Sequence, residues 1–255
     1  MRWSVRNRTY CLLLVLGGLF SVSTRPVAAQ QAWESRGFIS VNGGVQATSS
    51  DFSGSVPFTL FVEEGDFTAN YEVESGPLFD VGGGVRVWRN LAVGGAVSAF
   101  SKDTAATVNA NLPHPFFFNQ DRRISGTAEN LARREVGIHI QALWIVPVND
   151  NLRVAVFGGP TFFNVNQELV TEVAFASTYP FDEAEFTGVS TVEASESAVG
   201  GNVGVDVGYY FSRSVGVGGL VRFSRASVDL TPPSGDTVST DAGGLQAMGG
   251  LRVRF

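Results

Sequence analysis

Asp80, Arg86, Glu135, Arg153, Asp206, Arg222, Arg252 and Arg254 each stand among alternating apolar residues. Charges in such surroundings can do two things. Paired, they form a buried salt-bridge network, because a desolvated charge is costly unless matched. Left partly open, they line a narrow ion path. His139 brings a third chemistry. Glu135, His139 and Gln141 share one alternate-residue face, which suits proton transfer. Nucleophilic catalysis needs a hydroxyl and a carboxylate around such a histidine. Gln141, not a serine, stands two residues away, so a satisfied interior histidine is expected. His114 sits between prolines and reads as a solvated loop residue. Two histidines so placed make no metal site. Cys11 alone gives neither a disulfide nor a cysteine cluster. No cofactor is expected, and no catalytic residue is assigned.

The elements that must carry these residues have a period of two. Eight stretches show it, at 37–48, 77–88, 91–101, 133–148, 152–166, 198–212, 214–230 and 242–255. In 214–230, Val215, Val217, Val221 and Phe223 alternate with Gly216, Gly218, Arg222 and Ser224. In 133–148, Val136, Ile138, Ile140 and Trp144 alternate with Glu135, Gly137, His139 and Gln141. No stretch shows a comparable helical period. Strands of roughly 11–16 residues exceed the soluble mode of about 5–6. They suit a tilted membrane crossing of about 9–11 residues with extensions.

The connections alternate as well. Arg89-Asn90, Asn149-Asp150-Asn151 and Arg213 between serines read as tight turns. Long loops are expected at 51–76, 102–132, 167–197 and 231–241. In a membrane the continuous apolar face must meet lipid, so the polar, glycine-rich face must point inward. Eight strands leave an interior that side chains can fill. Small inward residues then make room for Arg222, Arg252, Tyr210 and Gln141. Trp144, Tyr209, Phe211 and Phe255 lie near strand ends and suit an interfacial girdle.

The first 29 residues read as a secretory signal peptide. Arg2, Arg6 and Arg8 precede an apolar run from Tyr10 to Val22, and Val27-Ala28-Ala29 offers the cleavage site. Residues 30–255 then form one domain. The chain has 255 residues, 18 Lys and Arg against 24 Asp and Glu, and a net charge of -6. That balance argues against nucleic acid as a partner, which calls for a basic patch.

The signal peptide, the eight alternating stretches and the ending Leu251-Arg252-Val253-Arg254-Phe255 together resemble the outer-membrane β-barrel-domain family, the small OmpA-like and OmpX-like barrels. The resemblance covers about 36–255. It implies an all-β fold, an eight-stranded antiparallel up-and-down transmembrane β-barrel with short periplasmic turns and longer outer loops. It also implies outer-membrane lipid and lipopolysaccharide as surroundings, and a monomer. Gly250, Leu251, Val253 and Phe255 match the family's insertion signal, read by the outer-membrane assembly machinery, with Met248 where that signal prefers a polar residue. The role expected is structural or surface interaction through the outer loops, not catalysis. A small passive channel is the alternative. A lipid-modifying barrel enzyme and a soluble lipocalin-like barrel are further ones, the last requiring the reverse polarity. The loops carry Phe58, Phe61, Phe67 and Tyr71, the run Phe116-Phe117-Phe118, and Glu168, Glu172, Asp182, Glu183, Glu185, Glu193 and Glu196. Exposed aromatic clusters of this kind often mark binding sites. The same segments can instead extend the strands as hairpins.

Overall fold

The computed structural model describes residues 35–47, 50–231 and 237–255. The expected signal peptide, 1–29, lies outside them. The described residues form ten strands: β1 Gly37–Ala47, β2 Ser50–Leu60, β3 Glu63–Val73, β4 Gly76–Trp88, β5 Leu91–Pro113, β6 Asp121–Pro147, β7 Leu152–Ala176, β8 Glu185–Tyr210, β9 Val215–Leu230 and β10 Val238–Arg254. Eight of them close a ring. Its order is β1, β4, β5, β6, β7, β8, β9, β10 and back to β1, every pairing antiparallel. Closure joins the two ends of the chain. Phe38 pairs with Arg254 and Ala47 with Leu245, and Gly37 and Phe255 exchange backbone hydrogen bonds of 2.8 and 3.0 Å. At Gly250 the neighbouring strand comes so close that a Cβ would overlap the carbonyl oxygen of Val41.

The tight turns at one end, hereafter the lower end, are local chemistry. Asn149 Oδ1 accepts from the backbone N–H groups of Asn151 and Leu152 at 3.0 and 2.7 Å. Ser212 Oγ accepts from Val215 N–H at 2.9 Å. Each side chain stands in for a turn's missing backbone acceptor.

The upper end departs from the expected loops. Segments 51–76, 102–132 and 167–197 are mostly strand, and the first residues of β10, from Val238, fall within 231–241. β2 and β3 form a hairpin that prolongs β1 and β4, and β3 pairs with the upper part of β5. The upper connections shrink to Phe61-Val62, 114–120 and 177–184. Strands therefore reach 27 residues in β6 rather than sixteen.

The reason is a change of residue class without a change of register. On β9 the outward residues are Val215, Val217, Val221 and Phe223, then Arg225, Ser227 and Asp229. The inward residues are Arg222 and Ser224, then Ala226, Val228 and Leu230. β5 repeats this: outward Val93 and Val97 give way to Ser101 and Asp103, while inward Ser98 gives way to Val108 and Leu112. The outer face is thus apolar below and polar above, while the interior holds charged and polar groups among apolar ones below and an apolar core above. Phe67, Tyr71, Val108, Leu112, Leu131, Phe163, Leu169, Val228 and Leu230 build an apolar core in this upper crown. Phe67 and Tyr71, expected as exposed loop aromatics, are in that core.

The crown is not one closed sheet. β6 and β7 part above Arg133 and Gln167, β8 and β9 above Gly201 and Arg225, and β10 leaves β1 above Leu245. A four-stranded sheet (β2, β3, β5, β6) and two hairpins (β7–β8 and β9–β10) then lean together through side chains. Gly243, with φ 88°, sits where β10 parts from β1.

Candidate functional site

Three regions hold the candidate residues: the lower lumen, the outer wall and the crown.

The lower lumen gathers most of the expected interior residues. Asp80, Glu135, His139, Gln141, Arg153, Asp206, Arg222 and Arg252 are all buried. Arg222 Nη1 lies 2.9 Å from Asp80 Oδ2, and its Nε donates to Gln246 Oε1. Asn42 Nδ2 donates to the other Asp80 oxygen at 2.9 Å. Arg252 pairs with Asp206 and donates to Asn42 Oδ1. Arg153 reaches Asp206 at 3.4 Å and lies over the rings of Phe38 and Tyr210. A second cluster sits higher, around Glu135. It accepts from Arg133 Nε at 2.8 Å, from Gln46 Nε2 at 3.0 Å and from Gly243 N–H at 3.0 Å. Arg133 also donates to Gln167 and to the Asp241 carbonyl. Arg133, Asn42, Gln46, Gln246 and Ser98 are members that sequence reasoning did not assign.

Arg86 and Arg254 occupy inward positions but are only half-buried. They lie at the lower mouth. Arg254 donates to the Arg213 carbonyl at 2.8 Å and stacks 4.1 Å from the Tyr210 ring centroid. Strand ends open to solvent, so both charges escape the lumen's desolvation.

His139 is fully buried and does not meet Glu135. Its Nε2 lies 2.9 Å from Ser98 Oγ, and its Nδ1 lies 2.8 Å from Thr161 Oγ1. Thr161 in turn accepts from Asn202 Nδ2 at 2.8 Å. A serine thus faces the histidine after all, from the next strand rather than two residues along its own. The third partner is a hydroxyl, not a carboxylate, and the pair is sealed in the lumen. Beside the lower cluster lies a cavity of about 30 Å³ lined by Asp80, Gln141, Asp206, Arg222 and Arg252. That is room for a water molecule or two.

The outer wall of the lower half is a continuous apolar belt. Ile39, Val41, Phe79, Val81, Val97, Ile138, Ile140, Val203, Val205, Val221, Phe223 and Leu251 are all exposed on it. On β9 it runs 215–223, roughly nine residues, which fits a tilted lipid crossing of about 9–11. Trp88, Trp144, Tyr209, Phe211 and Phe255 are exposed around its lower edge. Above it the outward residues turn polar and bond to one another. Arg225 pairs with Asp241 at 2.6 Å, and Asn166 Nδ2 donates to Glu193 at 2.7 Å.

The crown's tips carry the aromatic residues. Phe116, Phe117, Phe118 and Tyr179 are exposed. They are fixed from below by His114, which sequence reasoning placed in solvent, and by Arg122, which it did not assign. His114 is buried; its Nδ1 accepts from Phe116 and Phe117 N–H at 3.1 and 3.2 Å, and its Nε2 lies 3.6 Å from Asp182. Buried Arg122 donates to the carbonyls of Pro113 and Phe181 at 3.0 and 3.2 Å, tying two hairpin tips together. Among the described residues no cluster of His, Cys, Asp and Glu could hold a metal ion.

No family model matches the chain, and no curated protein sequence matches it. Solved structures give distant likenesses. The outer membrane protein OprG from Pseudomonas aeruginosa is 12% identical, with a TM-score of 0.41, over 87% of this chain and 96% of that one. Neisserial surface protein A is 10% identical, with a TM-score of 0.41, over 86% and 97%. The outer membrane protease OmpT from Escherichia coli is 8% identical, with a TM-score of 0.47, over 90% and 99%.

Proposed function

We propose that the protein is an integral outer-membrane barrel, closed to ions, that acts at the cell surface through its crown. The observation that carries this reading is the exchange of polarity along one set of strands. A belt of exposed Val, Ile, Leu and aromatic residues is favourable only against hydrocarbon. Directly above it, the same strands present polar residues outward and bury an apolar core, as a water-exposed domain does. The long hairpins project away from the end where β1 begins and β10 ends, which supports a crown facing outward and the lower turns facing the periplasm. Outer-membrane lipid and lipopolysaccharide are the surroundings of such a barrel, as a monomer. The terminal residues Gly250, Leu251, Val253 and Phe255, on the strand that closes the ring, suit recognition by the assembly machinery.

Two stoppers support a closed lumen. The ion pairs fill its lower half, and the apolar core fills the crown. The Ser98–His139 pair supports a structural role in place of hydrolysis, since its third partner is Thr161 and both side chains are buried. The experiment pairs two measurements. The refolded protein in planar bilayers passes no current steps; steady conductance would favour the channel. Cells displaying it are retained on gelatin-coated glass more than cells without it, and replacing 177–184 with a short turn removes the gain. No gain, or a gain that survives the replacement, overturns the surface role.

A further inference from the structure

The pairing of β6 with β7 ends at Arg133 and Gln167. Beyond that point β6 continues outward to Asp121 with ladder bonds to β5 alone, and β7 continues with ladder bonds to β8 alone. A strand edge left in this way offers a row of N–H and C=O groups to any further strand. Near the tip, side chains do not fill the gap. A cleft of about 770 Å³ separates the β6 edge at Arg123–Ser125 from residues 176–186 of the β7–β8 hairpin. Phe186 closes its floor, its ring pressed on Gly126 where a Cβ would overlap it. The Arg122 bonds to Pro113 and Phe181 hold the two sides apart at a fixed width. A preformed cleft spares a ligand the cost of ordering it. Its charge is one-sided: Asp182, Glu183 and Glu185 face the single cation Arg123, and Tyr179 stands exposed beside them.

We propose that this cleft takes an extended basic peptide segment of another protein, added as a strand to the outer edge of β6. The inference rests on the surface-interaction reading above and names its site and the partner's chemistry. Backbone pairing along β6 supplies the affinity, as in strand addition generally. The three carboxylates select lysine or arginine, and Tyr179 and Phe186 take the apolar side chains between. Anionic partners are repelled by the same lining.

The test uses the full barrel in lipid nanodiscs and an amidated heptapeptide alternating lysine and valine. Two control peptides isolate the terms: one with glutamate for lysine, and one with alternate backbone amides methylated, which keeps the charge and removes the strand's donors. The lysine peptide binds and the glutamate peptide does not. Methylation weakens binding roughly tenfold or more, and so does the double variant Glu183→Lys/Glu185→Lys. Both glutamates are exposed, and a retained heat-dependent gel shift shows that the variant barrel is folded. Equal binding of the methylated peptide, full binding by the double variant, or no binding of the lysine peptide overturns the proposal. Cell retention separates this failure from that of the broader reading. If shortening 177–184 abolishes retention while Glu183→Lys/Glu185→Lys leaves it intact, the crown still acts at the surface and the cleft is not its peptide site. If shortening has no effect, the surface role itself falls.

Discussion

Arg222 has no solvent to turn to. It is fully buried, and Asp80 and Gln246 are its partners in the lumen. Removing one member of a buried pair strands the other, which typically costs about 3–5 kcal/mol. Arg222→Met is therefore expected to lower stability by about that much in urea titrations of the micellar protein. Adding Asp80→Leu to it restores a large part of the loss, because the stranded carboxylate is gone. Tyr71 gives a residue-scale test in the crown. Its hydroxyl oxygen accepts from Val170 N–H at 2.8 Å. Burial holds its phenol above the ordinary 10.0, against the lowering effect of that hydrogen bond. As pH rises, the unfolded chain loses this proton first. The contribution of the neutral buried phenol is thus intact below about pH 10 and is lost as pH climbs through the folded-state value. Alkaline unfolding followed by tyrosinate absorbance should show this loss, and Tyr71→Phe should remove the part of the dependence that this phenol contributes. The charged lumen residues were legible because each interrupts an apolar alternation. Ser98 was not, because its partner His139 arrives from the next strand, 41 residues on. Arg133 stands two residues from Glu135, but its other partners, Gln167 and the Asp241 carbonyl, lie 34 and 108 residues away, where no local pattern records them. His114 was misread for the same reason: its burial depends on the 177–184 tip.

The strands differ from their expected extents at one end only. Tight turns such as Asn149-Asp150-Asn151 announce themselves in composition, and the lower boundaries fell where expected. The upper boundaries did not, because alternation was sought as a constant apolar parity. At Phe223–Arg225 on β9 the polar class crosses to the outward face while the period of two continues. The same crossing predicts a sharp edge to tolerance. Val221→Arg, within the belt, should cost about 2–4 kcal/mol, as cations on a lipid face do near mid-depth. Ser227→Arg, six residues on and outward on the same strand, should stay within roughly 0.5 kcal/mol of the parent. Equal costs at the two sites would remove the membrane boundary drawn here. The β2–β3 turn offers an element-scale gain. Phe61 and Val62 have φ of 52° and 71°, in the left-handed region that asparagine and glycine prefer. Phe61→Asn with Val62→Gly should raise the unfolding temperature, with a gain of about 1–3 kcal/mol if strain of the usual size is released.

At the scale of the whole molecule, the lumen network is written across the entire chain. Arg252 and Asn42 are 210 residues apart, and Gln246 and Gln46 are 200 apart. β1 and β10 meet only when every intervening strand is in place. Contacts of such separation form late, since the loop entropy must be lost before they return anything. Until then Arg252 and Gln246 have no β1 partners, and the inward charges face water through an open side. A chain that stops short of β10, or enters it out of register, leaves Asp206 without Arg252 and Arg222 without Gln246. The ion pairs therefore serve as an inspection step on assembly: the last bonds made are those that report a complete ring. Asn42→Leu should slow the final closing step more than the early ones. Pulse proteolysis during refolding would reveal it as a longer-lived, cleavable intermediate.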